Sequence, residues 1–188
     1  MNNNRILINK LKSFENINSN FVNIALALFG TLLLAISSKV QVPFWPVPMT
    51  MQTFVIFLIG MTYGMRLSFA TVALYLFQGA IGLPVFASGG GLAYLIGPTA
   101  GYLYGMLFAA VVISYLANLG FSKTYFKATL SLTLGSIIIF LFGIIYLGTI
   151  IGYQKAIAAG LLPFIPSEIF KIALAISLIP TIQKIIKK

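Results

Sequence analysis

Residues Gly79 to Gly105 read GAIGLPVFASGGGLAYLIGPTAGYLYG, and they break an otherwise almost continuous apolar chain with glycines, prolines and tyrosines. Within lipid, irregular backbone persists only where protein buries it or it lines a cavity, because an amide transferred without a partner costs roughly 2–7 kcal/mol. In a membrane protein such a segment marks the wall of a site. The rest of the 188-residue chain supports that solvent: it is 60% hydrophobic and 7% charged, with a mean hydropathy of +1.02, where soluble domains are roughly 25% charged. The reading is an all-α integral membrane protein.

Upstream of this stretch, helix three is expected over about Leu67–Ile81 and helix two over about Met49–Met65, with Arg66 at the turn between them. Both are short for full spans at about 1.5 Å rise per residue. Helix one, Phe21–Lys39, is near the roughly 20 residues a bilayer core requires. Between helices one and two, VPFWPVPMTMQTF (Val42–Phe54) carries prolines at 43, 46 and 48, which forbid regular helix and predict a rigid loop. Downstream, Gly97, Pro98 and Thr99 suit the start of helix four, which runs from near Pro98 to about Leu119. Helix five follows over Ala128–Ile151, then an outer loop from Gly152 to Ile165, and helix six over Pro166–Ile182 before the tail QKIIKK. Residues 1–20 form a polar, basic lead-in whose Ile6, Leu7 and Leu11 are too sparse for a signal peptide, so the spanning domain is residues 21–188.

Six helices with a cytoplasmic amino terminus place Arg5, Lys10, Lys12, Arg66, Lys123, Lys127, Lys184, Lys187 and Lys188 inside and only Lys39 and Lys155 outside, with Lys171 inside a helix. That satisfies the positive-inside rule, puts both termini in the cytoplasm and turns the three long Pro/Gly-rich connections outward. The net charge of +10 therefore reports topology and the anionic inner leaflet, and nucleic acid is not an expected partner.

Chemistry has few places to reside. The chain has no His and no Cys, and only two acids; Glu15 sits in the lead-in, so Glu168 is the single carboxylate of the spanning part. Lys171 follows at i+3, one turn along the same face. Ionisable residues inside a membrane mark function by default, while a self-neutralising pair that stabilises the start of helix six is the structural alternative. Helices four and six both begin on the outer side, so their positive ends, with Thr99 at the first, favour an anionic ligand. Ser88, Gly89, Gly90 and Gly91 offer backbone amides, or else a flexible turn. Tyr94, Tyr102 and Tyr104 are candidates for lining a ligand or anchoring at the interface. Trp45 has the same two readings, with Thr50 and Gln52 adding polar groups beside it. Ala27, Thr31 and Ala35 form a small-residue stripe on helix one, suited to packing within the bundle or to docking on a partner.

One Glu without His, Cys or Asp is a poor set for an enzyme, and no GxxxxGK[ST] phosphate loop occurs. No metal or cofactor is expected. The residues describe capture of a small ligand that has a hydrogen-bonding head and an acid group, with any driving energy supplied by a partner.

VPFWPVPMTMQTF, YLFQGAIGLPVFASGGG, GPTAGYLYG and PFIPSEIFKIALA, in that order and spacing, closely resemble the BioY family, the biotin-specific substrate-binding subunits of energy-coupling-factor transporters. The likeness covers about residues 20–185. It implies six helices in a bacterial inner membrane, biotin held near the outer surface, and a loop between helices three and four that closes over it. It also implies a coupling membrane protein and ATPase subunits on the cytoplasmic side, or self-association where a member is solitary; small residues of helix one belong to that contact. The family's acid-x-x-Lys motif maps onto Glu168 and Lys171, although the usual acid is Asp after Gly and this chain has Ser167–Glu168. Some relatives also carry an Arg in the Gly-rich loop, and this chain has none there. The resemblance thus implies that Glu168 meets the ureido N–H groups while Lys171 meets the carboxylate or supports Glu168, or the reverse. A site for another small vitamin and a membrane enzyme are the competing readings.

Overall fold

The computed structural model describes the backbone of residues 19–187 and the side chains of residues 20–178. Of the lead-in expected over residues 1–20, only the last two fall in that range; Glu15 and the side chains of the basic tail lie outside the described residues. The described elements are α1 (Ser19–Lys39), β1 (Gln41–Val42), β2 (Met49–Thr50), α2 (Gln52–Thr62), α3 (Met65–Ala80), a 3-10 turn (Leu92–Ile96) and α4 (Ala100–Leu116). They continue with a π turn (Ala117–Phe121), α5 (Tyr125–Ile151), α6 (Tyr153–Gly160), a second 3-10 turn (Leu162–Phe164) and α7 (Ile165–Lys187).

The six expected spanning helices are α1 to α5 and α7. Two expectations need correction. Helix two begins at Gln52 rather than Met49, because Met49 and Thr50 pair antiparallel with Val42 and Gln41. Met51 then donates its N–H to Ser37 O at 3.2 Å and Val40 O at 3.0 Å, so the proline-rich loop is a small hairpin clamped to the end of α1. The outer loop from Gly152 to Ile165 is largely helical: Gly152, at φ +86°, turns the chain out of α5, and YQKAIAAG then forms α6.

Among the described residues, four stretches, 20–39, 100–121, 125–151 and 153–178, are long and apolar enough to cross a membrane. With 11 and 16 residues, α2 and α3 reach only about 16 and 24 Å at 1.5 Å per residue, against a hydrocarbon core of about 30 Å. Thr50 of the hairpin and Gln52 and Thr53 at the start of α2 line a cleft in the bundle.

Lipid provides no hydrophobic drive between helices, so close packing must hold them. The tightest seam runs between α4 and α5, where Gly101 and Gly105 lie against the backbone of Phe142, Gly143 and Ile139, leaving no room for a Cβ. The small-residue stripe on α1 is also internal: Ala27 and Thr31 are buried and Ala35 is half-buried against the core, while Ile24, Leu28, Leu32 and Ile36 form the exposed face. Two apolar clusters fill the interior, one around Leu34, Tyr75, Phe86 and Leu147, the other around Phe57, Ile113, Leu132 and Ala175.

All three long connections gather at one end. Lys39 Nζ donates to Phe86 O at 2.6 Å, Tyr146 OH to Ile96 O at 2.9 Å and Tyr102 OH to Gly160 O at 2.9 Å. The hairpin, the connection between α3 and α4 and the 3-10 turn after α6 each contribute residues to the cleft.

Candidate ligand-binding site

The cleft contains about 480 Å³ of empty space when the part open at its mouth is counted. It is lined by Val47, Pro48 and Thr50 of the hairpin, Gln52 and Thr53 of α2, and Tyr94 and Thr99 of the connection between α3 and α4. Tyr102, Leu103 and Met106 of α4, Ile139 and Phe140 of α5, Phe164, and Glu168 and Lys171 of α7 complete it.

The charged pair sits deep. Glu168 falls in the first turn of α7, where the helix dipole favours a carboxylate, and Lys171 lies one turn on. They are 4% and 2% exposed, and burial at that level is tolerable only if each charge is paired and hydrogen-bonded. Lys171 Nζ donates to Glu168 Oε2 at 3.1 Å, Thr53 Oγ1 donates to the same oxygen at 3.1 Å, and Ser136 Oγ donates to Oε1 at 3.1 Å. A carboxylate offers about four acceptor positions and an ammonium three donors. Among the described residues these bonds leave one acceptor position, on Oε1 of Glu168, and two N–H groups of Lys171 to meet a ligand.

A second polar chain runs along the wall. Thr50 Oγ1 donates to Gln52 Oε1 at 3.0 Å, Gln52 Nε2 to Tyr75 OH at 2.7 Å, and Tyr75 OH to Val85 O at 2.8 Å. Both ends of the Gln52 amide are therefore engaged. The remaining wall is aromatic: Phe140 meets Tyr102 and Phe164 edge-on, and Tyr94 stacks at 4.8 Å on the fully buried Phe86.

Of the residues singled out from sequence, the fold brings Thr50, Gln52, Tyr94, Thr99, Tyr102, Glu168 and Lys171 to the cleft. It does not bring Trp45, which is 85% exposed on the hairpin, nor Ser88, Gly89, Gly90 and Gly91. The amides of Gly89 and Gly91 donate instead to Phe86 O and Gly79 O, at 3.3 and 2.7 Å, so they shape the turn. Tyr104 lies outside the lining, its hydroxyl on Leu95 O. Sequence reasoning missed Thr53 and Ser136. Thr53 had a signal, being adjacent to Gln52 at the start of an apolar helix. Ser136 is one of several hydroxyl residues along α5, with nothing local to distinguish it.

The model of the BioY family matches residues 10–188. A probable biotin transporter BioY of Rickettsia prowazekii is 32% identical over 184 residues, covering 97% of this chain and 94% of that protein. A probable biotin transporter BioY of Pyrococcus horikoshii is 34% identical, covering 85% and 95%, and the biotin transporter BioY of Thermotoga maritima is 37% identical, covering 77% and 86%. Among solved structures, the 2.1 Å crystal structure of the S-component for biotin from an ECF-type ABC transporter superposes with a TM-score of 0.78 at 26% identity, covering 90% of this chain and 95% of that one. Family model, full-length relatives and fold agree on a multi-pass membrane protein, and the chain belongs to the BioY family.

Proposed function

We propose that this chain is a biotin-binding S-component: it captures biotin in the cleft and, with energy-coupling-factor subunits, carries it into the cell. It is a transport protein and not an enzyme. The observation that carries the ligand assignment is the buried Glu168–Lys171 pair in an otherwise largely apolar cleft. A urea presents N–H donors beside a carbonyl acceptor, and the pair presents an acceptor beside donors. The aromatic wall suits the sulfur-containing ring and the aliphatic valerate arm. In this reading Glu168 accepts from a ureido N–H, and Lys171 steadies Glu168 while offering its other N–H groups to the ligand. The valerate carboxylate lies toward the positive end of α4 at Thr99.

The cleft end faces outward, with the loop between α3 and α4 closing over the ligand through Tyr94. Arg66 in the first turn of α3, Lys123 between the π turn and α5, and Lys127 in the first turn of α5 support this orientation through the positive-inside rule. The energy comes from a coupling membrane protein and ATPase subunits, or the chain self-associates where those are lacking; the chain itself uses no cofactor.

Calorimetry on the purified full chain tests the ligand: one biotin per chain is expected, with thiamine and riboflavin failing to compete. Competition by either of those vitamins, with no biotin heat, would replace biotin by another ligand. Uptake of labelled biotin by cells expressing the chain with and without coupling subunits tests the partner.

A further inference from the structure

We propose that Thr53 and Ser136 are positioning residues of this site, which hold the Glu168 carboxylate turned so that its open acceptor position meets a ligand N–H. The proposal rests on the biotin reading above. Thr53 comes from α2, Ser136 from α5 and Glu168 from α7, so the carboxylate is gripped from two helices other than its own. Thr53 Oγ1 and Lys171 Nζ both donate to Oε2, filling its two lone pairs; Ser136 Oγ donates to Oε1 and leaves one position there. Ser136 does not line the cleft, so its influence on a ligand passes through Glu168. Its hydroxyl also lies 3.2 Å from Leu132 O, but a carboxylate is the stronger acceptor and takes the single proton. Without the two hydroxyls, Glu168 is free to rotate onto Lys171 alone, and its acceptor position no longer has a fixed direction. Thr53 and Ser136 therefore set how strongly the site prefers a ligand carrying that N–H.

The test is equilibrium binding to the purified full chain of biotin and of its two N-methyl derivatives, isomers of one another with the methyl on one or the other ureido nitrogen. The wild-type chain is expected to bind biotin and to discriminate strongly against at least one isomer. Thr53→Val and Ser136→Ala should each weaken biotin about tenfold while leaving that isomer unchanged, so discrimination falls by the same factor. Thr53→Ser should recover most of the loss. Equal weakening of biotin and isomer, or a lowered melting temperature with discrimination intact, overturns the proposal, as does wild-type protein that binds every isomer as well as biotin. Wild-type protein that fails to bind biotin at all overturns the function on which the proposal stands, a distinguishable failure.

Discussion

Gln52 Nε2 lies 2.7 Å from the hydroxyl of Tyr75, and through that hydroxyl the cleft wall is joined to the loop that follows α3. Val85 O receives the Tyr75 proton at 2.8 Å, and the next carbonyl, Phe86 O, receives Lys39 Nζ. A polar group at the ligand site and the end of α1 are thus tied to consecutive residues of one loop. Tyr75→Phe removes the hydroxyl in the middle and leaves the buried Gln52 amide without its acceptor, a loss of about 1–3 kcal/mol. Hydrogen exchange at residues 85–91 is expected to quicken and biotin dissociation to accelerate.

The buried ion pair leads to a prediction about stability that differs from the one about binding. Lys171→Met leaves Glu168 buried with only two hydroxyl partners and should cost about 3–5 kcal/mol, whereas Glu168→Leu combined with Lys171→Met should recover most of that. Neither variant should bind biotin. Thermal denaturation in detergent, read beside calorimetry, separates the two effects; a double variant less stable than the single one would contradict the argument.

Gly79 accommodates the ring of Phe86, which is fully buried and sits where a side chain at Gly79 would begin. Gly79→Ala drives a methyl into that ring, and overpacking of this kind costs about 1–3 kcal/mol. Because Phe86 stacks on Tyr94, the displacement should also weaken biotin binding. Adding Phe86→Leu to Gly79→Ala should restore part of the melting temperature, which checks that the clash is with the ring.

Trp45 is the only tryptophan of the chain and is 85% exposed, outside the cleft. Trp45→Phe is expected to change stability by no more than about 0.5 kcal/mol and to leave biotin affinity unaltered. A large loss of affinity by calorimetry would show that the hairpin tip reaches the ligand.

How much was legible before folding follows from which signals are local. Hydropathy marked the membrane solvent and six spanning segments, prolines and glycines marked the irregular stretches between them, and a count of acids isolated Glu168 with Lys171 one turn away. Each signal belongs to a single segment; the Gly101–Gly105 seam had a local signal too, glycines four apart, which went unread. The hairpin and α6 were not legible, because proline and loop composition obscure a two-residue ladder and one short helix. The direction of the Ala27–Thr31–Ala35 stripe and the engagement of the Gly89 and Gly91 amides within their own turn depended on neighbours distant in sequence.

The sequence by itself determined the solvent, the helices, the family resemblance and the identity of the buried charges. Tertiary structure alone decided that Thr53, 115 residues before Glu168, and Ser136, 32 before it, converge on one carboxylate. The reason is physical. In lipid a helix is apolar on every side, so periodicity does not say which face turns inward, and that choice is made by close packing between helices.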